Sequence, residues 1–86
     1  MDVSFTPQIR RQFKKLPSAL QEEALEKIEL FKKNPADPML RVHKLKGEIA
    51  GRMSFSVNYR FRIIFMWETP HESAILLAIG DHALYD

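Results

Sequence analysis

Residues 52–67, RMSFSVNYRFRIIFMW, decide the fold, because here the apolar residues stop recurring at helical spacing and begin to alternate. Met53, Phe55 and Val57 alternate with Arg52, Ser54 and Ser56, and Phe61, Ile63, Phe65 and Trp67 follow the same odd numbering against Arg60 and Arg62. A period of two describes strands with one apolar face. For both runs to lay that face on the same side of a hairpin, the loop must hold an odd number of residues. Val57, Asn58 and Tyr59 fit, with Asn58 in the left-handed conformation that asparagine tolerates. This register sets Ser56 opposite Arg60 and Ser54 opposite Arg62, away from the hydrophobic layer. A slip of one residue buries both arginines, so the register is expected to be well determined.

Downstream, ETPHES (68–73) reads as a turn and AILLAIG (74–80) is apolar at every position before Gly80, which predicts an interior strand buried on both faces. With Phe65 facing Leu77 and Ile63 facing Ile79, Arg60 falls opposite His82; a shift of two residues sets Gly80 there instead. Upstream, DVSFT (2–6) alternates as a short strand, and Thr6 followed by Pro7 is a helix start, with proline at the first helical position. Ile9, Phe13 and Leu16 share one face of that helix, which Pro17 ends. SALQ (18–21) has the form of a capping box, Ser18 accepting from the backbone and Gln21 reaching back. The helix it opens buries Leu20, Ala24, Ile28 and Phe31, carries Glu23–Lys27 and Glu29–Lys33 pairs, and stops at NPADP (34–38).

The expected order is β-α-α-β-β-β: an α+β domain spanning 1–86, with a small antiparallel-rich sheet and an N-terminal helical hairpin on one face. A chain of 86 residues has room for one core and not two. Hydrophobic content of 45% and charged content of 28% match an ordinary globular protein, and no run reaches the ~20 apolar residues of a membrane span. Nothing in MDVSFTPQIRRQ marks the chain for export, so a cytoplasmic location and no membrane partner are expected. Zero cysteines exclude disulfides, a thiolate nucleophile and a cysteine-based zinc site.

Net charge is only +2, but Arg41, Lys44, Lys46, Arg52, Arg60 and Arg62 face the single acid Glu48 in one stretch, and Arg10, Arg11, Lys14 and Lys15 cluster on the first helix. The acids Glu22, Glu23, Glu26 and Glu29 gather on the second. A basic side suits a polyanion, and a solvated surface is the alternative. The polar sheet face gathers Arg52, Ser54, Ser56, Arg60, Arg62 and His82, with Tyr85 just beyond. Those residue types suit cleavage of RNA by its own 2′-hydroxyl: histidine as base or acid, arginine's fork on the phosphate, tyrosine on a base or sugar. Histidines 43, 71 and 82 are too scattered for a metal set, so no metal or cofactor is predicted. His71, between Pro70 and Glu72, reads as an exposed turn residue.

HKLKG (43–47), NYRFRIIF (58–65) and IGDHALY (79–85) together resemble, in order and spacing, the RelE/ParE superfamily of bacterial toxin–antitoxin modules, most closely its YafQ-like and HigB-like ribonucleases. The likeness spans nearly the whole chain. It implies a toxin that enters the ribosome's decoding site, cleaves messenger RNA there without a metal and is held inactive by a cognate antitoxin. By motif, His43 and His82 are the acid/base candidates, Arg62 the phosphate ligand and Tyr85 the aromatic position. Lys44, Lys46, Arg52 and Arg60 are the RNA-binding candidates. RelE itself relies on lysine, arginine and tyrosine, so the histidine-using branch is the closer comparison. Two alternatives stand: a ParE-like inhibitor of DNA gyrase, which leaves the histidines without a task, and a non-catalytic binding protein of the same fold.

Overall fold

The computed structural model describes residues 1–45 and 51–81. Strand β1 (Asp2–Phe5) leads into helices α1 (Pro7–Lys14) and α2 (Ser18–Lys33), a 3-10 turn over Pro38–Leu40, then β2 (His43–Lys44), β3 (Met53–Ser56), β4 (Phe61–Thr69) and β5 (Ser73–Asp81). The five strands form one sheet in the order β1-β5-β4-β3-β2, with β1 parallel to β5 and every other pair antiparallel. This is the expected α+β arrangement with one strand more, the two-residue β2, which is too short for periodicity to reveal. As expected, β5 is interior. No helix among the described residues is long and apolar enough to cross a membrane.

Thr6 caps α1, its hydroxyl accepting from the Ile9 N–H at 3.2 Å, with Pro7 in the first turn. The same hydroxyl donates to the Leu77 carbonyl at 2.8 Å. That carbonyl sits at an irregularity of β5: Ile64 pairs with Ala78 but Phe65 with Leu76, so Leu77 has no opposite number. Ile63 faces Ile79 as expected, whereas the Phe65–Leu77 pairing is displaced by this bulge. Beyond the end of β1, the Ile79 N–H is taken up by the Gln12 side chain at 2.8 Å, which ties α1 to β5.

The capping box does not form. Pro17 occupies the cap position of α2 without a side-chain bond, and its carbonyl receives the N–H groups of Leu20 and Gln21 at 3.0 Å each. Gln21 is used elsewhere, its amide donating to the Phe13 carbonyl at 2.9 Å and so closing the corner between the helices. The expected i,i+4 ion pairs are also absent among the described residues. Glu29 pairs with Lys32 at 3.3 Å, while Lys27 donates to the Val57 carbonyl at 3.0 Å and Glu23 accepts from the Asn58 amide at 3.3 Å. Tertiary partners on the hairpin loop outcompete pairs worth only a few tenths of a kcal/mol on a helix surface.

The β3–β4 register differs by two residues from expectation: Ser56 pairs with Arg62, Phe55 with Ile63 and Ser54 with Ile64. The cause is Asn58. Among the described residues it is not one of those with positive φ. Its Oδ1 instead accepts the Arg60 and Phe61 N–H groups, both at 2.8 Å, making a wider turn in which the Phe61 carbonyl receives Val57 N–H at 2.9 Å. A displacement by two conserves the faces, so Phe55, Val57, Ile63 and Phe65 are still fully buried. Arg60 is thereby left in the turn, beyond the ladder.

Phe31 of α2 is the centre of the core. It stacks on Phe55 (centroids 4.6 Å, planes 15° apart), meets Phe65 edge-on at 4.8 Å and lies 5.7 Å from Trp67. Ile9, Ala24 and Ile28 complete the layer beneath the helices. The opposite face of the sheet is not simply wet: Ser54 is fully buried, and Ile64 and Ala78 are 3% and 6% exposed.

Candidate active site

The chain reaches the open edge of β3 through a sharp corner. Leu40, fully buried, anchors the 3-10 turn, and Arg41 follows in the left-handed region at φ 49°. The next residues fall into β2, where His43 pairs with Ser54 and Lys44 with Met53. Directly opposed residues share a face of the sheet. His43 therefore lies with Ser54, on the side away from the helices, and Lys44 lies with Met53, which packs against the core.

His43 has both ring nitrogens engaged. Nδ1 is 2.9 Å from the Arg41 carbonyl oxygen, and Nε2 is 3.0 Å from Arg62 Nη1 and 3.4 Å from Ser54 Oγ. A carbonyl only accepts and a guanidinium only donates, so these partners select the tautomer with the proton on Nδ1 and the lone pair on Nε2. Ser54 donates its hydroxyl to the same lone pair from a fully buried position. Arg62 starts two residues away along the sheet, opposite Ser56 on one side and Gly80 on the other, and its side chain runs back diagonally to the histidine. The result is a proton-accepting nitrogen held against a planar cation on an accessible sheet edge. That combination can bind a phosphate and take up a proton beside it.

The other candidates divide. Arg60 is drawn to Asp81, Nη2 to Oδ2 at 3.2 Å, with its guanidinium 5.9 Å from the Phe61 ring. Asp81 is the last residue of β5. Arg52 precedes β3, its carbonyl accepting the Leu45 N–H at 3.0 Å, and by alternation shares the Ser54 face. Lys44 is on the face opposite to His43. Lys46, His82 and Tyr85 lie outside the described residues. Two contributors were not legible in the sequence as site residues: the Arg41 carbonyl, since a backbone oxygen leaves no trace in residue type, and Ser54 as a partner of His43, since β2 is invisible to a period-two reading. His71 is in the turn where it was expected, exposed and at φ 63°.

No family model matches the chain, and no curated protein matches it in sequence. Solved structures do match. A YoeB/ParE toxin from Agrobacterium tumefaciens superposes with a TM-score of 0.76 at 16% identity, covering 95% of this chain and 99% of that one. YafQ from Escherichia coli strain BL21(DE3) gives a TM-score of 0.76 at 16% identity, with 96% and 94% covered. The toxin–antitoxin complex RelBE2 from Mycobacterium tuberculosis gives 0.70 at 23% identity, with 93% and 95% covered. The chain has the fold of the RelE/ParE-like toxins, YafQ included.

Proposed function

We propose that this chain is the toxin of a toxin–antitoxin pair and an endoribonuclease that cleaves ribosome-bound messenger RNA, inhibiting translation. The observation that carries this reading is the tautomer of His43: a lone pair on Nε2, fixed from behind by the Arg41 carbonyl and fronted by Arg62. When a phosphodiester engages the Arg62 fork, it draws the guanidinium off Nε2 and uncovers the base. His43 then takes the 2′-hydroxyl proton, the 2′-oxygen attacks the adjacent phosphorus, and Arg62 balances charge on the non-bridging oxygens. The 5′-oxygen leaves with a proton from an acid, for which His82 is the candidate by its place in IGDHALY. Tyr85 orients a base or sugar, and Lys44, Lys46, Arg52 and Arg60 attract the strand. Two proton carriers and a cation suffice for this chemistry without a metal.

The antitoxin has a natural seat on the other side of the molecule. Phe5, Ile9, Phe13, Leu25 and Ile28 line an apolar cleft of about 300 Å³, rimmed by Arg10 and Lys14, with Leu25 51% exposed. An amphipathic helix with acidic flanks fits that chemistry. The RelBE2 structure from M. tuberculosis, by its own description a toxin–antitoxin complex, supports such a partner.

The test is to mix the purified protein with bacterial ribosomes on a defined message and map cuts by primer extension, for wild type, His43→Ala and His82→Ala. Discrete cuts lost in both variants support the reading. An intact message refutes it, and blocked gyrase supercoiling in the same preparation replaces it with gyrase inhibition.

A further inference from the structure

A second constellation lies around the β2 edge from His43. Phe55, Phe31, Trp67 and His71 form a continuous column of rings: Phe31 stacks on Phe55 at 4.6 Å and on Trp67 at 5.7 Å, and Trp67 lies 5.0 Å from His71 with planes 45° apart. The column begins in the core and ends on an exposed imidazole. Beside it opens a pocket of about 320 Å³, lined by Trp67, His71, Asp37, Arg41, Val42 and Met53 among others.

Three features separate this pocket from an ordinary surface dent. Among the described residues, the two non-glycine positions with positive φ, Arg41 at 49° and His71 at 63°, both line it. Such backbone costs free energy and is concentrated at ligand clamps. The pocket's lining includes the half-buried Trp67 and the exposed His71 and Arg41, which can offer an indole N–H, an imidazole and a guanidinium. Asp37 supplies a fixed acceptor, its Oδ1 already holding the Met39 N–H at 2.9 Å. A flat ring that both donates and accepts, attached to an anion, matches this lining: the rings stack it, Asp37 and the indole read its edge, and Arg41 takes its phosphate.

The position matters as much as the chemistry. Arg41 lines this pocket and gives its carbonyl to His43 Nδ1. Across β2, Lys44 shares the Met53 side, on which the pocket opens. We propose that the pocket is a nucleobase subsite, receiving a base of the single-stranded message that flanks the phosphate held at Arg62. This rests on the RNA-cleaving reading above and deepens it, placing sequence preference on the face opposite to the proton chemistry.

Trp67 is the only tryptophan in the chain, so its fluorescence reports on this pocket directly. The probes are a 2′-O-methyl RNA tetranucleotide, which cannot be cut, and adenosine monophosphate, titrated against the full chain as wild type, His71→Gly and Arg41→Asn. Glycine relaxes the turn at residue 71, and asparagine tolerates the left-handed region at 41, so both variants keep the backbone. Saturable quenching by the tetranucleotide, weakened about fivefold or more in each variant, is the expected result. Unchanged fluorescence, or equal affinity in His71→Gly, overturns the subsite. Monophosphate binding as tight as the tetranucleotide's overturns it in favour of a free-nucleotide site. Running ribosome cleavage in parallel separates the two readings. Cutting without quenching removes the subsite alone, and His71-dependent quenching without cutting supports the subsite while removing the cleavage reading.

Discussion

Replacing His43 by asparagine and by alanine separates its position from its chemistry. Asparagine can keep an N–H donor on the Arg41 carbonyl, 2.9 Å from Nδ1 in the native protein, but has no lone pair where Nε2 stands. Alanine removes both. In His43→Ala the buried Ser54 hydroxyl loses its acceptor, which costs about 1–3 kcal/mol for a well-made bond. At 3.4 Å this bond is long, so the lower end, about 1 kcal/mol, is expected, or a fall of about 4–8 °C in Tm for a domain of this size. Adding Ser54→Ala to His43→Ala should recover most of that loss, because the orphaned hydroxyl goes with it. Activity behaves differently: both His43 variants should lose about 10²–10⁴ in single-turnover cleavage of ribosome-bound message, the worth of a general base. Urea unfolding and primer-extension time courses on the same preparations give both numbers. Cleavage by His43→Asn within tenfold of wild type refutes the base assignment, whatever the stability data say.

Other substitutions test the elements that hold the site. Arg62→Lys keeps the charge but loses the fork, and should slow cleavage at least tenfold with Tm little changed; an unchanged rate in the same assay removes Arg62 as the phosphate ligand. Asn58→Ala and Asn58→Gly should both destabilise by about 1–2 kcal/mol in urea, since Oδ1 holds two backbone N–H groups. Rescue by glycine alone would mean that the turn depends on left-handed backbone after all. Thr6→Ala should cost about 1–2 kcal/mol, losing both the α1 cap and the bond to the bulged Leu77 carbonyl, whereas Thr6→Ser should cost less than half of that.

The fold was legible because its signals are local and redundant. Thr6–Pro7 starts α1, NPADP ends α2, and the parity of Met53 through Trp67 survives a two-residue error in register, because such an error leaves every side chain on its face. The failures share another cause: several side chains had two good uses. Gln21 chose the Phe13 carbonyl over the cap, Lys27 the Val57 carbonyl over Glu23, and Asn58 its side-chain acceptor over left-handed backbone. Gln21 and Lys27 satisfy backbone groups that another element brings within reach, whereas Asn58 satisfies two N–H groups of its own turn.

The candidate site divides in the same way. Sequence by itself determined the residue types, the two arginines on an alternating strand, the aromatic core positions and the face on which Arg62 lies, since these follow from periodicity and chemistry along the chain. Only the tertiary structure decided that His43 meets Arg62, nineteen residues away, with its proton on Nδ1, that Arg60 pairs with Asp81, and that Lys44 lies on the opposite face. The placement of His43 and Lys44 turns on a two-residue strand and a left-handed corner at Arg41. Both are products of packing against Leu40 and the β3 edge, not of any pattern the neighbouring residues carry.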